Sequence, residues 1–177
     1  MNPARLARFH DCPRYFICPL CHAELNLAGT SLRCPNRHTF DIAKQGYVNL
    51  APAAKQSQFY SKESFANRGR ILNAGYYSHI ASAVLAAVRT HCPANPRPAV
   101  LDAGCGEGYY ANRLAGSAEV LGFDLSKHAC DHAAKRAKAA GNGAFFGVAS
   151  VFELPVADAS ADAVVSLFAP IAEKEFA

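Results

Sequence analysis

The sequence predicts an α/β fold in which a parallel β-sheet is covered by helices, with a small separate module in front of it. Short apolar runs alternate with helical patterns from residue 99 to residue 167, as is typical of a doubly wound sheet. Before this region, cysteines and a histidine occur at the spacings of a metal-binding module. We therefore expect a basic extension, a metal-binding module, a linker with a helix, and the sheet domain, at residues 1–17, 18–50, 51–98 and 99–177.

The composition allows a sizeable core and gives no membrane signal. Hydrophobic residues make up 51% of the 177 residues. No apolar run approaches the roughly 20 residues that cross a bilayer, and the N-terminus lacks the apolar core of a signal peptide. We therefore expect a cytoplasmic protein with no membrane partner.

The charge is unevenly distributed along the chain. The formal net charge is +4, but residues 1–99 carry +8 and residues 100–177 carry −4. A basic module that faces nucleic acid, joined to a second domain, is expected to show this asymmetry because lysine and arginine displace counterions from phosphates. The alternative is a solvated basic surface without a partner.

The first motif is Cys18-Pro-Leu-Cys21, followed after twelve residues by Cys34-Pro-Asn-Arg-His38. Four such ligands fit tetrahedral zinc, and a closed set of four indicates a structural site. The segment between the pairs, with a turn at Gly29, is typical of a hairpin. Seven cysteines form an odd set, which also argues against a disulfide framework.

Alternatives remain for this motif. Cys12 could replace His38 as the fourth ligand, although its spacing to Cys18 is less regular, so we favour His38. His22 is better explained as an exposed residue beside a ligand. The whole set could also be reduced thiols in a small hydrophobic cluster.

The second motif is the glycine-rich turn that follows the apolar strand beginning at Ala99. Gly104, Gly106 and Gly108 lack Cβ atoms, and a helix predicted to begin near Tyr109 would direct its first N–H groups towards the same space. A polar or anionic ligand is expected there, unless the segment is a plain strand-to-helix turn. The spacing is neither the dinucleotide Gly-x-Gly-x-x-Gly nor a P-loop, which disfavours nicotinamide and ATP.

The order Asp-x-Gly-x-Gly-x-Gly, with Asp124 closing the next strand, resembles motif I of the Rossmann-like, class I S-adenosylmethionine methyltransferases. The resemblance implies that the turn passes beside the methionine part of the cofactor and that the acid takes the ribose hydroxyls. It also places the residue after strand three near the adenine. The implied cofactor residues are Gly104, Gly106, Glu107, Gly108, Asp124 and Ser150.

Two further segments resemble a narrower family. "Phe-Asp-x-Ala-Lys-x-Gly-Tyr-Val-Asn-Leu" from Phe40, behind a four-ligand zinc module, and "Arg-x-Leu-x-x-Gly-x-Tyr" from Arg70 resemble the bacterial 23S ribosomal RNA guanine-N1 methyltransferases of the RlmA/TlrB type. The resemblance implies methylation of guanine N1 in large-subunit ribosomal RNA, with S-adenosylmethionine and structural zinc as cofactors. It also implies that Tyr77 reaches the cofactor, for which core packing is the alternative.

Candidate RNA contacts follow from side-chain chemistry. Lys44 can bind a phosphate, Tyr47 can stack on a base, and Asn49 can form hydrogen bonds. The alternative is that Tyr47, with Val48 and Leu50, docks the module onto its neighbour. Both interpretations stay open at this point.

The remaining elements complete the predicted sheet. A one-sided apolar pattern from Tyr77 to Val88 predicts a helix that ends before the prolines at 93–98, after a polar linker at 51–64. Strands are predicted at 118–124, 144–148 and 163–167, with a helix at 127–140. Phe168 and Pro170 then follow strand four, where the resemblance implies contact with the substrate base; packing of the strand end is the alternative.

The predicted sheet is incomplete, with strands one to four of the order 3-2-1-4-5-7-6. The family continues with a Lys-Pro-Gly-Gly turn and further strands, so we expect a C-terminally truncated chain of uncertain activity. The open edge of strand four invites pairing, and a homodimer is possible. Asp158 and Asp162 are better explained as loop residues than as a general base, so no catalytic base is assigned. The rival functions are a small-molecule methyltransferase and a non-catalytic zinc RNA-binding protein.

Overall fold

The computed structural model describes residues 6, 8–10, 14–55 and 61–177. Cys12, the alternative metal ligand, and much of the predicted basic extension lie outside these residues, as does the stretch 56–60 of the predicted linker. The described residues form a three-stranded antiparallel sheet and a five-stranded parallel sheet. The α/β fold with a small N-terminal module is thereby confirmed.

The antiparallel sheet forms the body of the N-terminal module. It contains β1 (Asn26–Ala28), β2 (Ser31–Arg33) and β3 (Thr39–Asp41) in that order. β1 and β2 form the predicted hairpin, whose turn uses Gly29 in the left-handed region at φ 64°. Leu32 pairs with both Leu27 and Phe40, and its buried side chain contributes to the core. The hairpin therefore returns the second ligand pair towards the first.

β4 (Tyr47–Asn49) joins the module to the parallel sheet. This sheet has the order β4-β7-β6-β5-β8, and β4 runs parallel to β7 (Phe145–Val148) with Val48 opposite Gly147. A Cβ atom at Gly147 would lie 2.7 Å from the Phe123 ring, so only glycine fits beneath that ring. The sequence did not predict β4 as a strand. The module thus supplies one strand of the neighbouring sheet.

The other four strands have the predicted order. They are β5 (Ala99–Ala103), β6 (Glu119–Asp124), β7 and β8 (Ala163–Val165), so the arrangement 3-2-1-4 is confirmed. Every residue of β5 is buried, as expected for a strand covered on both faces. β8 is shorter than the predicted strand of residues 163–167. Among the described strands, β8 pairs only with β5.

Four regular helices lie in the described part of the chain: α1 (Lys62–Asn73), α2 (Ser78–His91), α3 (Tyr109–Leu114) and α4 (Lys127–Ala140). α4 has the predicted bounds and is capped at its start by the Ser126 hydroxyl and at its end by Gly141 at φ 65°. Its alanine face is fully buried, which allows close approach to the sheet. α2 begins one residue after Tyr77 and ends at His91, before Pro93 as predicted.

α1 corrects the interpretation of residues 51–64 as a linker, which is wrong for the last three of them. Ser61 caps this helix by accepting a hydrogen bond from the Ser64 N–H at 3.1 Å. The buried positions Phe65, Gly69 and Leu72 form a stripe at spacings of four and three residues. Because this stripe is narrow and includes a glycine, the apolar periodicity is weak and the helix was not predicted.

One aromatic cluster connects the segment before the module, residues 1–17, with the parallel sheet. The Phe16 ring stacks on Phe145 with centroids 4.0 Å apart, and Phe9 meets the same ring edge-on at 4.9 Å. All three side chains are buried, as is Phe123 beside them. The same buried core includes Leu25 and Phe40 of the module, so the module also packs onto the sheet, in addition to the β4–β7 pairing.

No single helix within the described residues is long and apolar enough to cross a membrane. α1 and α2 reach the required length and composition only as a pair, and they are bent by 81° relative to each other.

Candidate cofactor pocket and metal centre

The glycine-rich turn connects β5 to α3 at the carboxyl edge of the parallel sheet. Gly104, Gly106 and Gly108 all have positive φ angles, of 83°, 53° and 73°. A Cβ atom at Gly104 would lie 2.3 Å from the Ala169 Cβ, and one at Gly108 would lie 2.7 Å from the Ala133 Cβ. These two glycines are therefore required by packing against the chain itself as well as by the turn.

The carboxylate of Asp124, at the end of β6, stabilises the glycine-rich turn. Its Oδ2 accepts a hydrogen bond from the Gly106 N–H at 3.0 Å, and its Oδ1 accepts one from the Ser126 N–H at 2.8 Å. Burial raises the pKa of this carboxyl group, and the two N–H donors together with Arg68 oppose the shift. Each carboxylate oxygen keeps a further lone pair, which suits the predicted contact with a ribose diol.

Two cavities lie on either side of this turn. The first cavity, of about 220 Å³, includes in its wall Arg68, Tyr77, Asp102, Glu107, Tyr110 and Phe168. The second cavity, of about 260 Å³, includes Gly106, Asp124, Leu125, Ser150, Phe152 and Pro170. Arg68, Gly104 and Phe168 line both cavities, which therefore form one groove across the glycine turn.

Most of the predicted cofactor residues come together in this groove. Tyr77, Gly104 and Glu107 line the first cavity, and Gly106, Asp124 and Ser150 line the second. Gly108 lines neither, because it packs against α4. The contacts of these residues with a cofactor stay predictions.

Phe168 and Pro170, the predicted base contacts, also lie at the groove. Phe168 is 73% exposed and has a positive φ of 56°, which directs the chain sharply after β8. Its ring meets the Tyr77 ring edge-on at 6.1 Å. This exposed ring at the mouth of the groove is available for stacking on a base.

The module residues proposed to contact RNA differ in exposure. Lys44 is exposed, whereas Tyr47 is only 6% exposed and belongs to the hydrophobic core between the sheet and α4. The expectation that Tyr47 stacks on RNA is therefore corrected: the ring is covered because it packs among the buried residues of α4. The docking interpretation of this segment is the one that the structure favours.

Two residues that the sequence analysis did not assign contribute charge to the first cavity. Asp102, on β5, and Arg68, on α1, both line this cavity. Asp102 stands at the acidic position of the motif, a signal that was visible in the sequence. Arg68 carried no comparable signal because α1 itself was not predicted.

The carboxylate of Asp102 is almost fully buried, and its Oδ2 has no hydrogen-bond partner among the described residues. Burial, reinforced by the charges of Asp124 and Glu107, raises the pKa of Asp102 to about 7, and the N–H of Ala111 opposes this shift. The folded protein therefore keeps a proton on Asp102 at pH values where the unfolded chain has released it.

This difference predicts a pH dependence of stability. An unfolded Asp titrates near pH 4, so the free energy of unfolding should fall as the pH rises from about 4 to about 7, by at most about 1.4 kcal/mol per pH unit, and should level off above that. Asp102→Asn should lack this component. Urea unfolding of both proteins between pH 4.5 and 8 tests this, and parallel pH curves would contradict it.

Asp158 and Asp162 are not placed to act as a base in the groove. Asp162 accepts hydrogen bonds from the Ala99 N–H at 2.8 Å and from the Asn95 amide at 2.9 Å, at the amino end of β5. Asp158 lines a different cavity beside Ile17 and His22. Both are loop residues, as the sequence analysis favoured.

The predicted metal ligands converge in the module. The ligand atoms of Cys18, Cys21, Cys34 and His38 all lie within 4.8 Å of one another. The His38 Nδ1 is 3.5 Å from the Cys18 Sγ and 3.4 Å from the Cys34 Sγ, and the Cys21 and Cys34 Sγ atoms are 3.7 Å apart. Tetrahedral zinc with its usual bond lengths places such atoms about 3.6 and 3.8 Å apart. The four ligands therefore fit structural zinc.

The comparisons with known proteins agree with both sites. Residues 16–58 match the zinc ribbon of the family described as RlmA, N-terminal, and residues 100–176 match the family described as methyltransferase domain. In fold, a solved structure from Methanococcus maripaludis, provisionally named an S-adenosyl-L-methionine-dependent methyltransferase, has a TM-score of 0.55 and 22% identity, over 64% of this chain and 53% of that one. Fold and site thus define a class I S-adenosylmethionine methyltransferase domain behind a zinc ribbon.

Curated relatives narrow the class further. The chain is 34% identical to the 23S rRNA (guanine(748)-N(1))-methyltransferase of Streptomyces fradiae, over 89% of this chain and 56% of that protein. It is 36% identical to Bacillus subtilis YxjB, provisionally named a 23S rRNA (guanine-N(1)-)-methyltransferase, over 91% of this chain and 58% of that protein. Over about nine tenths of its own length the chain is thus similar to proteins named as bacterial 23S ribosomal RNA guanine-N1 methyltransferases. It spans somewhat more than half the length of these relatives.

Proposed function

We propose that this protein transfers a methyl group from S-adenosylmethionine to N1 of a guanine in large-subunit ribosomal RNA. The main observation in support is that a metal-binding module supplies a strand, β4, to the parallel sheet. The glycine turn of this same sheet forms the proposed cofactor groove. The names of the curated relatives support the substrate. A small-molecule methyltransferase has no evident need for a zinc module that is built into its sheet.

We assign a different role to each residue of the groove according to its side-chain chemistry. Asp124 would accept hydrogen bonds from the ribose hydroxyls, and Ser150 would lie near the adenine. Phe168 and Pro170, both exposed at the mouth of the groove, would hold the target base by stacking. Exposed Lys44 would contact a phosphate of the RNA.

The bound cofactor would supply a methyl group on a positively charged sulfur, which is the electrophile of the reaction. The guanine N1 must lose its proton to become an effective nucleophile, so a base is required. Neither Asp158 nor Asp162 reaches the groove, and the catalytic base stays unassigned. On the substrate side, Phe168 and Pro170 would contribute by positioning the target guanine.

Ribosomal RNA as the partner implies a location where ribosomes are assembled, and we propose the cytoplasm. A homodimer through the β8 edge also stays a proposal, since this edge is free among the described strands.

Nucleoside analysis tests the proposed reaction. The protein is incubated with deproteinised bacterial 23S ribosomal RNA and S-adenosylmethionine carrying a labelled methyl group, and the RNA is digested to nucleosides. We expect labelled 1-methylguanosine with the wild-type protein and none with Asp124→Ala. Asp131→Ala, which alters a surface ion pair with Lys135, is the matched control and should retain the activity.

Two outcomes would overturn this proposal. Binding of RNA without binding of S-adenosylhomocysteine would indicate a non-catalytic zinc RNA-binding protein. Binding of S-adenosylhomocysteine with methyl transfer to small acceptors, and none to RNA, would indicate a small-molecule methyltransferase.

A further inference from the structure

The positive charge of the described chain is concentrated in helices rather than in the zinc module. The module, residues 18–50, has three lysines and arginines against two acids, a formal charge of +1. α1, α3 and α4 together have eight against two, a formal charge of +6. Residues 149–177, which follow β7 and include β8, have one against five, a formal charge of −4. The helical side of the sheet domain is therefore basic, whereas its β8 end is acidic.

α4 connects the cofactor groove with the opposite edge of the parallel sheet. It begins at Lys127, three residues after Asp124, which lines the second cavity at the carboxyl end of β6. It ends at Ala140, and the chain then enters β7 at Phe145, the amino end of that strand. Its 14 residues correspond to about 20 Å of helix. A nucleic-acid strand that lies along α4 therefore runs from the groove to the amino edge of the sheet.

Three exposed lysines follow one side of α4. Lys127, Lys135 and Lys138 lie within about 80° of one another around the helix axis, because their spacings of eight and three residues are close to whole turns. Asp131 lies on the same side, and its carboxylate forms an ion pair of 2.6 Å with Lys135. The net charge of this side of the helix is therefore +2, and all of it faces solvent.

The side of α4 that bears these lysines is the side next to β4. Tyr47, at the start of β4, packs among the buried residues of α4, and burial, followed by the charge of the nearby Asp131, raises the pKa of its hydroxyl group. Lys44 is exposed and lies in the turn that precedes β4. Because β4 and β7 are parallel, this turn lies at the same amino edge where α4 ends. The lysine row consists of Lys127, Lys135, Lys138 and Lys44.

We propose that the lysine row binds the phosphates of the ribosomal RNA strand that leads from the target guanine to the zinc module. Lys127 binds beside the groove, and Lys44 binds at the amino edge of the sheet. Stacked nucleic acid has one phosphate per about 3.4 Å of strand, so α4 accommodates about six nucleotides. The acidic β8 end repels the same strand, which fixes the direction in which the RNA leaves the groove. This inference rests on the RNA substrate proposed above.

The salt dependence of RNA binding tests the proposal. The triple glutamine variant, with Lys127→Gln, Lys135→Gln and Lys138→Gln, removes three charges from exposed positions of α4. Filter binding of deproteinised bacterial 23S ribosomal RNA gives the slope of log affinity against log potassium chloride concentration. Each phosphate contact contributes about 0.7–0.9 to this slope, so we expect the slope to decrease by about 2. The corresponding loss of affinity is about a hundredfold at about 0.1 M salt and becomes smaller as the salt is raised.

The matched control combines Arg89→Gln, Arg97→Gln and Lys174→Gln, three exposed residues outside the lysine row that give the same change in net charge. Its slope should equal that of the wild type. A triple arginine variant of the same three α4 lysines keeps the charges and should retain the wild-type slope. The triple glutamine variant should bind S-adenosylhomocysteine and unfold thermally as the wild type does. Its methylation of RNA should show a raised KM and a nearly unchanged kcat, since the lysines do not contact the reacting atoms.

The outcomes are separable. An unchanged slope in the triple glutamine variant, or an equal decrease in the matched control, would overturn the inference, as would a decrease found only with Arg33→Gln in the module. A wild-type protein that binds no RNA would overturn both the inference and the proposed reaction. The expected decrease without formation of 1-methylguanosine would support the inference and overturn only the reaction. Formation of 1-methylguanosine with an unchanged slope in the triple glutamine variant would overturn the inference alone.

Discussion

Removal of zinc is expected to unfold the N-terminal module and to weaken cofactor binding in the parallel sheet domain. The module has only three short strands of its own, so the metal should supply much of its folding energy, with apparent values of about 10–16 kcal/mol in zinc-finger peptides. Because β4 pairs with β7, and Leu25 and Phe40 share a buried core with Phe145, loss of the module also removes an edge strand and core contacts from the sheet. We expect Cys34→Ser to lose zinc and to show a lower melting temperature.

The measurements are zinc content by mass spectrometry, thermal unfolding by circular dichroism, and calorimetric binding of S-adenosylhomocysteine. Cys92→Ser is the matched control, since this partly buried thiol follows α2 and does not belong to the metal cluster. It should keep one zinc per chain and the wild-type melting temperature. A zinc-free Cys34→Ser protein with unchanged unfolding would show that the metal is not structural.

Asp124→Ala is expected to reduce the affinity for S-adenosylhomocysteine by about a hundredfold or more. The variant loses the acceptor for the ribose hydroxyls, and it also leaves the Gly106 and Ser126 N–H groups without the carboxylate that now orders them. Hydrogen bonds to a charged group contribute about 1.5–3 kcal/mol each, and about 2.7 kcal/mol corresponds to a hundredfold change in affinity. The measurement is calorimetric titration.

Asp131→Ala again serves as the control, because its ion pair with Lys135 is on the surface and contributes little. Circular dichroism of Asp124→Ala separates a local effect from unfolding. Asp124→Asn should recover only part of the affinity, since the amide accepts fewer hydrogen bonds than the carboxylate. Wild-type affinity in Asp124→Ala would remove Asp124 from the cofactor site.

The features that the sequence predicted well depend on short stretches of chain. The ligand spacing of Cys18, Cys21, Cys34 and His38 is set by two tight turns, so the ligands could be identified before their convergence was seen. The strand-turn-helix around the glycines is equally local. α4 was predicted with its full bounds because Ser126 and Gly141 mark its ends by their own conformational preferences.

The residues that were missed or misassigned depend on partners far away in the chain. Tyr47 has the chemistry of an RNA contact, and only its pairing opposite Phe146 shows that the ring is covered. Arg68 lies on a helix whose apolar stripe is too narrow to be recognised, and only the structure shows that it lies beside Glu107 and Gly106. These contacts join residues that are far apart in the chain, so no local sequence pattern can indicate them.

The sequence by itself thus determined the class of fold, the metal ligands and the acidic residue at the end of β6, because each follows from local conformational preference or from ligand spacing. The strand order 3-2-1-4 was implied by the resemblance to the class I methyltransferases. Only the tertiary structure decided that the module shares a sheet and a core with its neighbour, that Asp102 is buried, and that Arg68 forms an ion pair with Glu107. Burial and electrostatic interaction depend on which distant residues meet, and folding alone brings them together.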